Sequence, residues 1–143
     1  MQAHGMIRGM TRKADEVLAE AWHDLMAQYQ RTMCTLDREL GREHALSASE
    51  FEVLQSLYTA PEGCMRLTEL GEHAHLTQSA LSRLVSRLTD DGLVERKACA
   101  DDRRNVTASL TSEGRTRYVE AKPTQRRVLR EEVGECRPLA TAD

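Results

Sequence analysis

The fold is decided by residues 68–92, which read TELGEHAHLTQSALSRLVSRLTDDG. Thr68 and Thr77 each stand where a helix N-cap residue is expected, and Gly92 stands where a left-handed residue would end the second helix. The apolar residues of this second helix recur at three- and four-residue steps and form one stripe: Leu81, Leu84, Val85 and Leu88. Two short helices joined by a tight turn predict a helix-turn-helix.

The residues after Gly92 indicate a β-hairpin. Two short strand-like runs, residues 93–96 and 106–110, flank a polar segment at residues 97–105 that would form a charged tip. A helix-turn-helix followed by such a hairpin is a winged helix. We therefore expect a mainly α-helical fold with a small β-hairpin wing.

Further helices are predicted on both sides of this unit. Residues 13–40 contain no Gly or Pro and repeat apolar residues with helical period, and Gly41 is expected to end that helix. Ser47 begins a capping box for a second helix. Thr111 is expected to cap a last helix, kinked at Pro123 and followed by an irregular tail.

The composition excludes several classes of protein. The chain has 143 residues, 40% of them hydrophobic and 30% charged, which fits one globular domain rather than a membrane or disordered protein. Only 3% are aromatic, which favours helices packed on helices. The four cysteines form no C-x-x-C pair, and no stretch approaches the ~20 apolar residues of a membrane span. We expect a cytoplasmic protein with reduced thiols and without metal, cofactor or membrane contact.

The net charge of -3 conceals an uneven distribution. Residues 15–62 sum to -7, whereas residues 63–143, which contain the helix-turn-helix and the hairpin, sum to +1. A pI near 6.0 excludes a broadly basic, histone-like protein. Any contact with nucleic acid would therefore depend on a few placed arginines.

The second helix of the helix-turn-helix presents small polar side chains and arginines opposite its apolar stripe. These outward residues are Gln78, Ser79, Ser82, Arg83, Ser86 and Arg87. Such a face fits the roughly 12 Å major groove of DNA, where arginine binds guanine or phosphate. At the hairpin tip, Arg103 and Arg104 could reach a minor groove, and Asp101 or Asp102 could hold them in place. The alternatives are a plain solvated helix face and a salt-bridge cluster on a polar turn.

In four segments the sequence resembles the MarR family of winged-helix transcription regulators, close to its SlyA type. The segments are LTEL at residues 67–70, TQSALSRLVSRL at 77–88, DGLVER at 91–96 and DRRNVTASLT at 102–111, the last carrying the family's D-x-R…L-T wing signature. The resemblance implies a homodimer on a pseudo-palindromic DNA operator, often a repressor released by a small molecule or an oxidant. It also implies roles by position: Arg83 as the recognition-helix arginine, Arg104 as the wing-tip arginine for the minor groove, and Asp102 as its orienting acid.

On this resemblance the chain divides into three parts. Residues 1–46 form an N-terminal arm and a long dimerisation helix, residues 47–111 the winged helix-turn-helix DNA-binding domain, and residues 112–143 a C-terminal helix and tail. The candidate DNA-binding residues are Thr77, Gln78, Ser79, Ser82, Arg83, Arg87, Asp102, Arg103 and Arg104. The family's usual further C-terminal helix is expected to be missing here or replaced by residues 136–140, which include Pro138, and the dimer interface is then reduced or compensated by the first helix.

Two residues are candidates for sensing an effector. Cys99 is expected at the base of the wing beside Arg96 and Lys97, whose charges favour a reactive thiolate; the alternative is an unreactive thiol. Trp22 could line a ligand pocket near the dimerisation region; the alternative is a tryptophan in the core. Since no P-loop, nucleophile elbow or Rossmann glycine pattern is present, we expect no enzyme activity. The remaining rival function is a winged helix that binds only protein.

Overall fold

The computed structural model describes the backbone of residues 2–99 and 102–133 and the side chains of residues 11–97 and 106–133. In chain order the elements are α1 (Gln2–His44), α2 (Ala48–Thr59), a 3₁₀ turn (Pro61–Gly63), β1 (Cys64–Arg66), α3 (Leu67–His73), α4 (Gln78–Asp90), β2 (Val94–Cys99), β3 (Asp102–Leu110) and α5 (Ser112–Val133). The predicted class, mainly α with a small hairpin wing, is confirmed. Within these ranges, no helix is long and apolar enough to cross a membrane.

α1 extends beyond both of its predicted ends. Its helical backbone begins at Gln2, where an arm was expected, and it passes through Gly41, so the prediction that Gly41 ends the helix was wrong. A helical glycine costs only about 1 kcal/mol, which a long helix tolerates. The helix ends instead beside Ala45, which has a left-handed φ of 55° and donates its backbone N–H to the Gly41 carbonyl at 3.3 Å.

The predicted ends of α2 and α4 are confirmed. Ser47 and Glu50 form both halves of the capping box at the start of α2. The Thr77 hydroxyl oxygen accepts the backbone N–H of Ala80 at 3.2 Å and so caps α4. Gly92 follows that helix with a φ of 75°, a conformation that glycine adopts without a Cβ penalty. The N-cap residues Ser47 and Thr77, which could be recognised in the sequence, therefore mark where α2 and α4 start.

A short strand that was not predicted, β1, changes where α3 begins. The sheet has the order β1-β3-β2, with antiparallel neighbours, and Cys64 of β1 pairs with Ser109 of β3. Because the extended backbone of β1 continues to Arg66, α3 starts at Leu67 and Thr68 lies within its first turn. The prediction of Thr68 as the cap of α3 was therefore wrong.

The wing is confirmed, and its strands reach further toward the tip than predicted. Lys97 pairs with Thr107 and Ala98 with Val106, so both flanks of the polar segment are strand. Charged residues occur in exposed strands as well as in turns, because their side chains can stay in water in both. The polar character of residues 97–105 therefore did not show where the strands end and the turn begins.

Contacts within the chain separate two compact units. One contains residues up to Thr35 together with those from Val128, and the other is Leu36–Arg127, which holds the whole winged helix. The core of the second unit is mainly aliphatic, with Phe51 and Tyr118 as buried aromatic residues, and its fully buried members include Leu54, Leu57, Leu70, Leu81, Leu88, Leu93 and Val94. The division of the chain at residues 46 and 111 stays a prediction.

α5 begins as predicted. The Thr111 hydroxyl oxygen accepts the backbone N–H of Gly114 at 3.0 Å, and the helix continues through Pro123 to Val133. The expected kink at Pro123 stays a prediction, and the predicted irregular tail lies outside the described residues.

Within the second unit, a polar cluster joins the end of α1 to α5. Thr124 donates its hydroxyl proton to Glu43 Oε2 at 2.8 Å, which lowers the pKa of that carboxyl below its usual range. Because this hydroxyl has only one proton, His44 Nε2 must be the donor in its 2.8 Å contact with Thr124 Oγ1. Arg117 Nη1 donates to the His44 carbonyl at 2.9 Å and completes the link.

Candidate nucleic-acid interface

α4 has a buried apolar side and an exposed polar side, as its periodicity predicts. Leu81, Val85 and Leu88 are buried and Leu84 is half-buried. The opposite side, called here the polar face of α4, is exposed throughout and consists of Gln78, Ser79, Ser82, Arg83, Ser86 and Arg87. No acidic residue occurs between positions 77 and 89. The helix therefore offers donors and positive charge on a surface without carboxylates of its own.

Arg83 and Arg87 stand one helical turn apart on this face, so their side chains are neighbours. Both are exposed, and neither forms an ion pair or hydrogen bond with another described residue. An unpaired exposed arginine keeps all its N–H donors available for a partner. These two side chains are consequently the groups of α4 best suited to bind guanine or phosphate.

Gln78 is less free than its exposure suggests. Its side-chain nitrogen lies 3.5 Å from the Leu67 carbonyl at the start of α3, and it occupies the space beside Gly71 into which a Cβ would project. Gln78 thus bridges the two helices of the helix-turn-helix. The serines of the polar face have short side chains, so they would let α4 approach the floor of a DNA groove closely.

The predicted wing residues lie next to the hairpin turn. The strand pairing is regular from Val94 to Ala98 and then shifts, so that Cys99 pairs with Asp102. Arg103 and Arg104 lie on β3 within this irregular segment, beside the turn. Their placement at the tip agrees with the sequence, whereas the side chains of Asp102, Arg103 and Arg104 lie outside the described residues. The bracing of an arginine by Asp102 stays a prediction.

Cys99 lies at the tip end of the wing and not at its base. It is the last residue of β2 and pairs with Asp102, the first residue of β3. The prediction placed it at the base because β2 was expected to end at Arg96. Its side chain is outside the described residues, so its reactivity stays a prediction.

Arg96 makes a contact with α4 that the sequence prediction missed. Its terminal nitrogen Nη2 donates to the Ser82 carbonyl at 3.1 Å and to Ser86 Oγ at 3.0 Å. The wing strand is thereby connected to the polar face of α4. A signal existed, because Arg96 follows the buried Val94 by two positions and so lies on the strand face that turns toward α4.

Trp22 is exposed, so its interpretation as a core residue was wrong. It leaves 55% of its surface accessible on α1, together with Leu18 at 61% and Tyr29 at 62%. These positions are spaced i, i+4 and i+11, which places them on one side of the helix. We call this surface the α1 stripe. Helical period indicated an apolar face correctly, but it did not show what that face packs against.

The histidines and acids form no metal centre in the part of the chain with described side chains, where no group of three potential ligands comes together. His44 is bonded to Thr124, and His73 contacts Ser56 Oγ through Nδ1 at 3.0 Å. Because Ser56 donates its own proton to the Glu52 carbonyl, His73 Nδ1 is the donor in that contact. Both rings thus serve to join helices.

Comparisons with known proteins agree with this geometry. The family model described as the MarR family matches residues 46–106. The HTH-type transcriptional repressor YetL of Bacillus subtilis is 31% identical over 78 residues, which is 54% of this chain and 47% of that protein. The chain spans about half the length of the first curated relatives that it matches, where shares of 43% to 47% are covered. These relatives are transcription regulators and not enzymes.

Solved structures share the fold over most of the chain. Sco3205, a MarR family transcriptional regulator from Streptomyces coelicolor solved in complex with DNA, is 30% identical with a TM-score of 0.77, over 89% of this chain and 78% of that one. The transcriptional regulator BldR from Sulfolobus solfataricus is 26% identical with a TM-score of 0.77, over 90% of this chain and 89% of that one. The similarity therefore extends beyond the winged helix to the flanking helices.

Proposed function

Because the chain belongs to the MarR family of winged helix-turn-helix transcription regulators, we propose that it is a cytoplasmic, sequence-specific DNA-binding repressor that acts as a homodimer on a pseudo-palindromic operator. The observation that carries the proposal is the polar face of α4, which is exposed, has no carboxylates of its own, and carries Arg83 and Arg87, neither of which has a partner among the described residues. A helix of this kind fits a major groove, and Arg83 and Arg87 can bind there without breaking a contact with another described residue.

The proposed contacts follow from the position of each residue. Arg83 reads a guanine, while Arg87 and the hydroxyls near the start of α4 bind phosphate or base edges. Arg103 and Arg104 carry the wing into the adjacent minor groove, with Asp102 orienting the second arginine. The full set comprises Thr77, Gln78, Ser79, Ser82, Arg83, Arg87, Asp102, Arg103 and Arg104.

The homodimer is supported by the α1 stripe. Exposed contiguous apolar surface on a globular protein marks an interaction site, and three large side chains on one helix side form such a surface here. A second copy of the chain supplies the matching stripe about a two-fold axis. Two recognition helices related by that axis suit the two halves of a palindrome.

Duplex DNA of random sequence tests the proposal directly. Retention of such DNA should be measurable at low salt and should fall steeply as salt rises, because bound phosphates release counterions. Footprinting of the DNA that flanks the protein's own gene would then locate the operator. If no random duplex is retained at low salt, the rival function, a winged helix that binds only protein, is favoured.

Arg83→Ala is expected to weaken operator binding and to relax base preference at one position by about 1–3 kcal/mol. Arg104→Ala is expected to weaken binding through loss of the minor-groove contact. Competition with operators altered at single positions measures both effects. The control is Arg38→Ala, which removes an arginine whose side chain is 68% exposed on α1 and should leave binding unchanged. If the Arg83 variant binds the operator with the affinity and base preference of the parent, Arg83 is not a DNA contact.

Release from the operator is proposed to follow binding of a small-molecule effector or oxidation of Cys99. If Cys99 is the sensor, mild peroxide releases the parent from DNA and leaves Cys99→Ser bound. The readout is a gel shift on the footprinted DNA, with Cys34→Ser, an exposed thiol on α1, as the matched control. Release that survives Cys99→Ser would exclude Cys99. A ligand role of Trp22 stays a prediction.

A further inference from the structure

We propose that Arg96 is an additional DNA-contacting residue, which donates to the phosphate backbone that runs between α4 and the wing. The inference rests on the proposed function, since it adds one contact to the same interface. It is carried by the position of Arg96 on β2, by the hydrogen bonds that hold its guanidinium, and by the donors that those bonds leave free.

The alternation of β2 directs Arg96 toward α4. Glu95 and Lys97 lie on the opposite strand face, where their charged atoms are 3.8 Å apart. Arg96 shares its own face with Val94, which is buried, and its partner on β3 is the buried Ala108. The aliphatic part of the Arg96 side chain thus starts at the edge of the core, although Arg96 is exposed overall. Long arginine side chains commonly combine a covered stem with a solvated head.

The guanidinium is held in place without being neutralised. The Ser82 carbonyl and Ser86 Oγ both accept from the single nitrogen Nη2, which uses the two protons of that nitrogen. The N–H groups on Nε and Nη1 have no partner within the described residues, and no described carboxylate forms an ion pair with Arg96. A charge fixed in this way loses less side-chain entropy on binding than a free arginine does.

The location of the guanidinium selects phosphate as its target. Ser82 and Ser86 lie one turn apart on the polar face of α4, and Arg96 reaches them from the wing. A helix in the major groove and a wing in the neighbouring minor groove are separated by one sugar-phosphate strand. Arg96 connects these two elements, so its free donors face that strand. The fork of N–H groups suits phosphate oxygens.

The test is the salt dependence of DNA binding by Arg96→Gln, measured by fluorescence anisotropy on a random duplex and on the footprinted duplex. We expect Kd to rise about tenfold on both at low salt, and the slope of log K against log salt to fall by about one per bound subunit. Lys97→Gln is the matched control, because it removes one charge from the other face of the same strand; its Kd should change by less than about twofold. Thermal unfolding shows that the variants fold.

Each outcome decides the inference. An unchanged slope and Kd in Arg96→Gln on both duplexes would overturn it, and so would a loss confined to the footprinted duplex, which indicates a base contact. Binding of neither duplex by the parent would instead refute the proposed function. If Arg96→Gln does not fold, Ser86→Ala provides the test. This variant removes one of the two hydrogen bonds that hold the Arg96 guanidinium but keeps its charge. Kd should therefore rise about threefold, while the slope of log K against log salt stays unchanged. Unchanged affinity in that variant would contradict the proposal.

Discussion

Gly114→Ala is expected to destabilise the protein by about 3 kcal/mol, the upper end for overpacking in a core. A Cβ on this residue would stand 2.1 Å from the Leu93 carbonyl oxygen and 2.8 Å from Leu110 Cδ1. The carbonyl is not free to withdraw, because it accepts the backbone N–H of Thr111 at 3.1 Å. Relief of the clash would therefore separate α5 from the start of β2. Chemical unfolding by urea measures the loss.

Gly41→Ala is the matched control for this prediction. Gly41 is exposed in α1, and the nearest atom to its added Cβ is the Leu46 carbonyl oxygen at 3.9 Å, which is ordinary contact. The same substitution should there stabilise the protein by about 0.5–1 kcal/mol, because alanine loses less backbone entropy in a helix than glycine. Equal effects of the two substitutions would show that glycine propensity, and not packing against Leu93, governs both positions.

The close approach at Gly114 is part of a junction between the wing and the last helix. Thr111 caps α5 with its side chain and also donates its hydroxyl to the Gly92 carbonyl at 2.7 Å. Thr111 thus connects Gly92, which follows α4, with the end of β3 and the start of α5. A glycine three residues later lets these backbones approach. The orientation of the wing relative to α4, on which the proposed DNA contacts depend, is set at this junction.

Local chemistry in the sequence predicted the elements whose determinants are local. The stripe of Leu81, Val85 and Leu88 and the cap at Thr77 lie within one helix length, so α4 and its exposed face could be inferred correctly. The hairpin followed from two short runs on either side of a polar turn. What these signals share is that the interacting groups are separated by only a few residues.

Features that depend on distant pairing could not be predicted in the same way. The three residues of β1 form a strand because Cys64 pairs with Ser109, which is 45 positions away. That pairing moved the start of α3 and displaced Thr68 from its expected role as a cap. The bond from Arg96 to Ser86 likewise joins two elements: strand alternation indicates that Arg96 faces α4, but only the folded arrangement of β2 and α4 shows which residue it reaches.

Trp22 shows a different limit of sequence patterns. Its place in an apolar helical repeat predicts burial, and an interface between chains satisfies that repeat as well as a core does. The single chain leaves the α1 stripe exposed, with Leu18 and Tyr29 on the same side as Trp22. The repeat is thus consistent with a surface that becomes buried when two copies associate.

If the chain forms the proposed dimer, Leu18→Glu is expected to convert it into monomers and to lower affinity for the proposed operator by a factor on the order of 10²–10³, because each subunit then binds only one half-site. A carboxylate within an apolar interface loses its hydration without gaining a partner, which opposes association. Sedimentation measures the oligomeric state. Trp22 is the only tryptophan of the chain, so its emission reports the stripe directly and should shift to longer wavelength in the variant.

Val119→Glu is the control, since Val119 is also an exposed apolar residue, with 52% of its surface accessible, but lies on α5 within the second compact unit. This variant should remain dimeric and bind the operator as the parent does. Leu18→Glu that stays dimeric with unchanged Trp22 emission would show that the α1 stripe is not the interface. A monomeric Leu18→Glu with parental operator affinity would instead contradict the use of two half-sites, because the avidity of paired recognition helices would then contribute nothing.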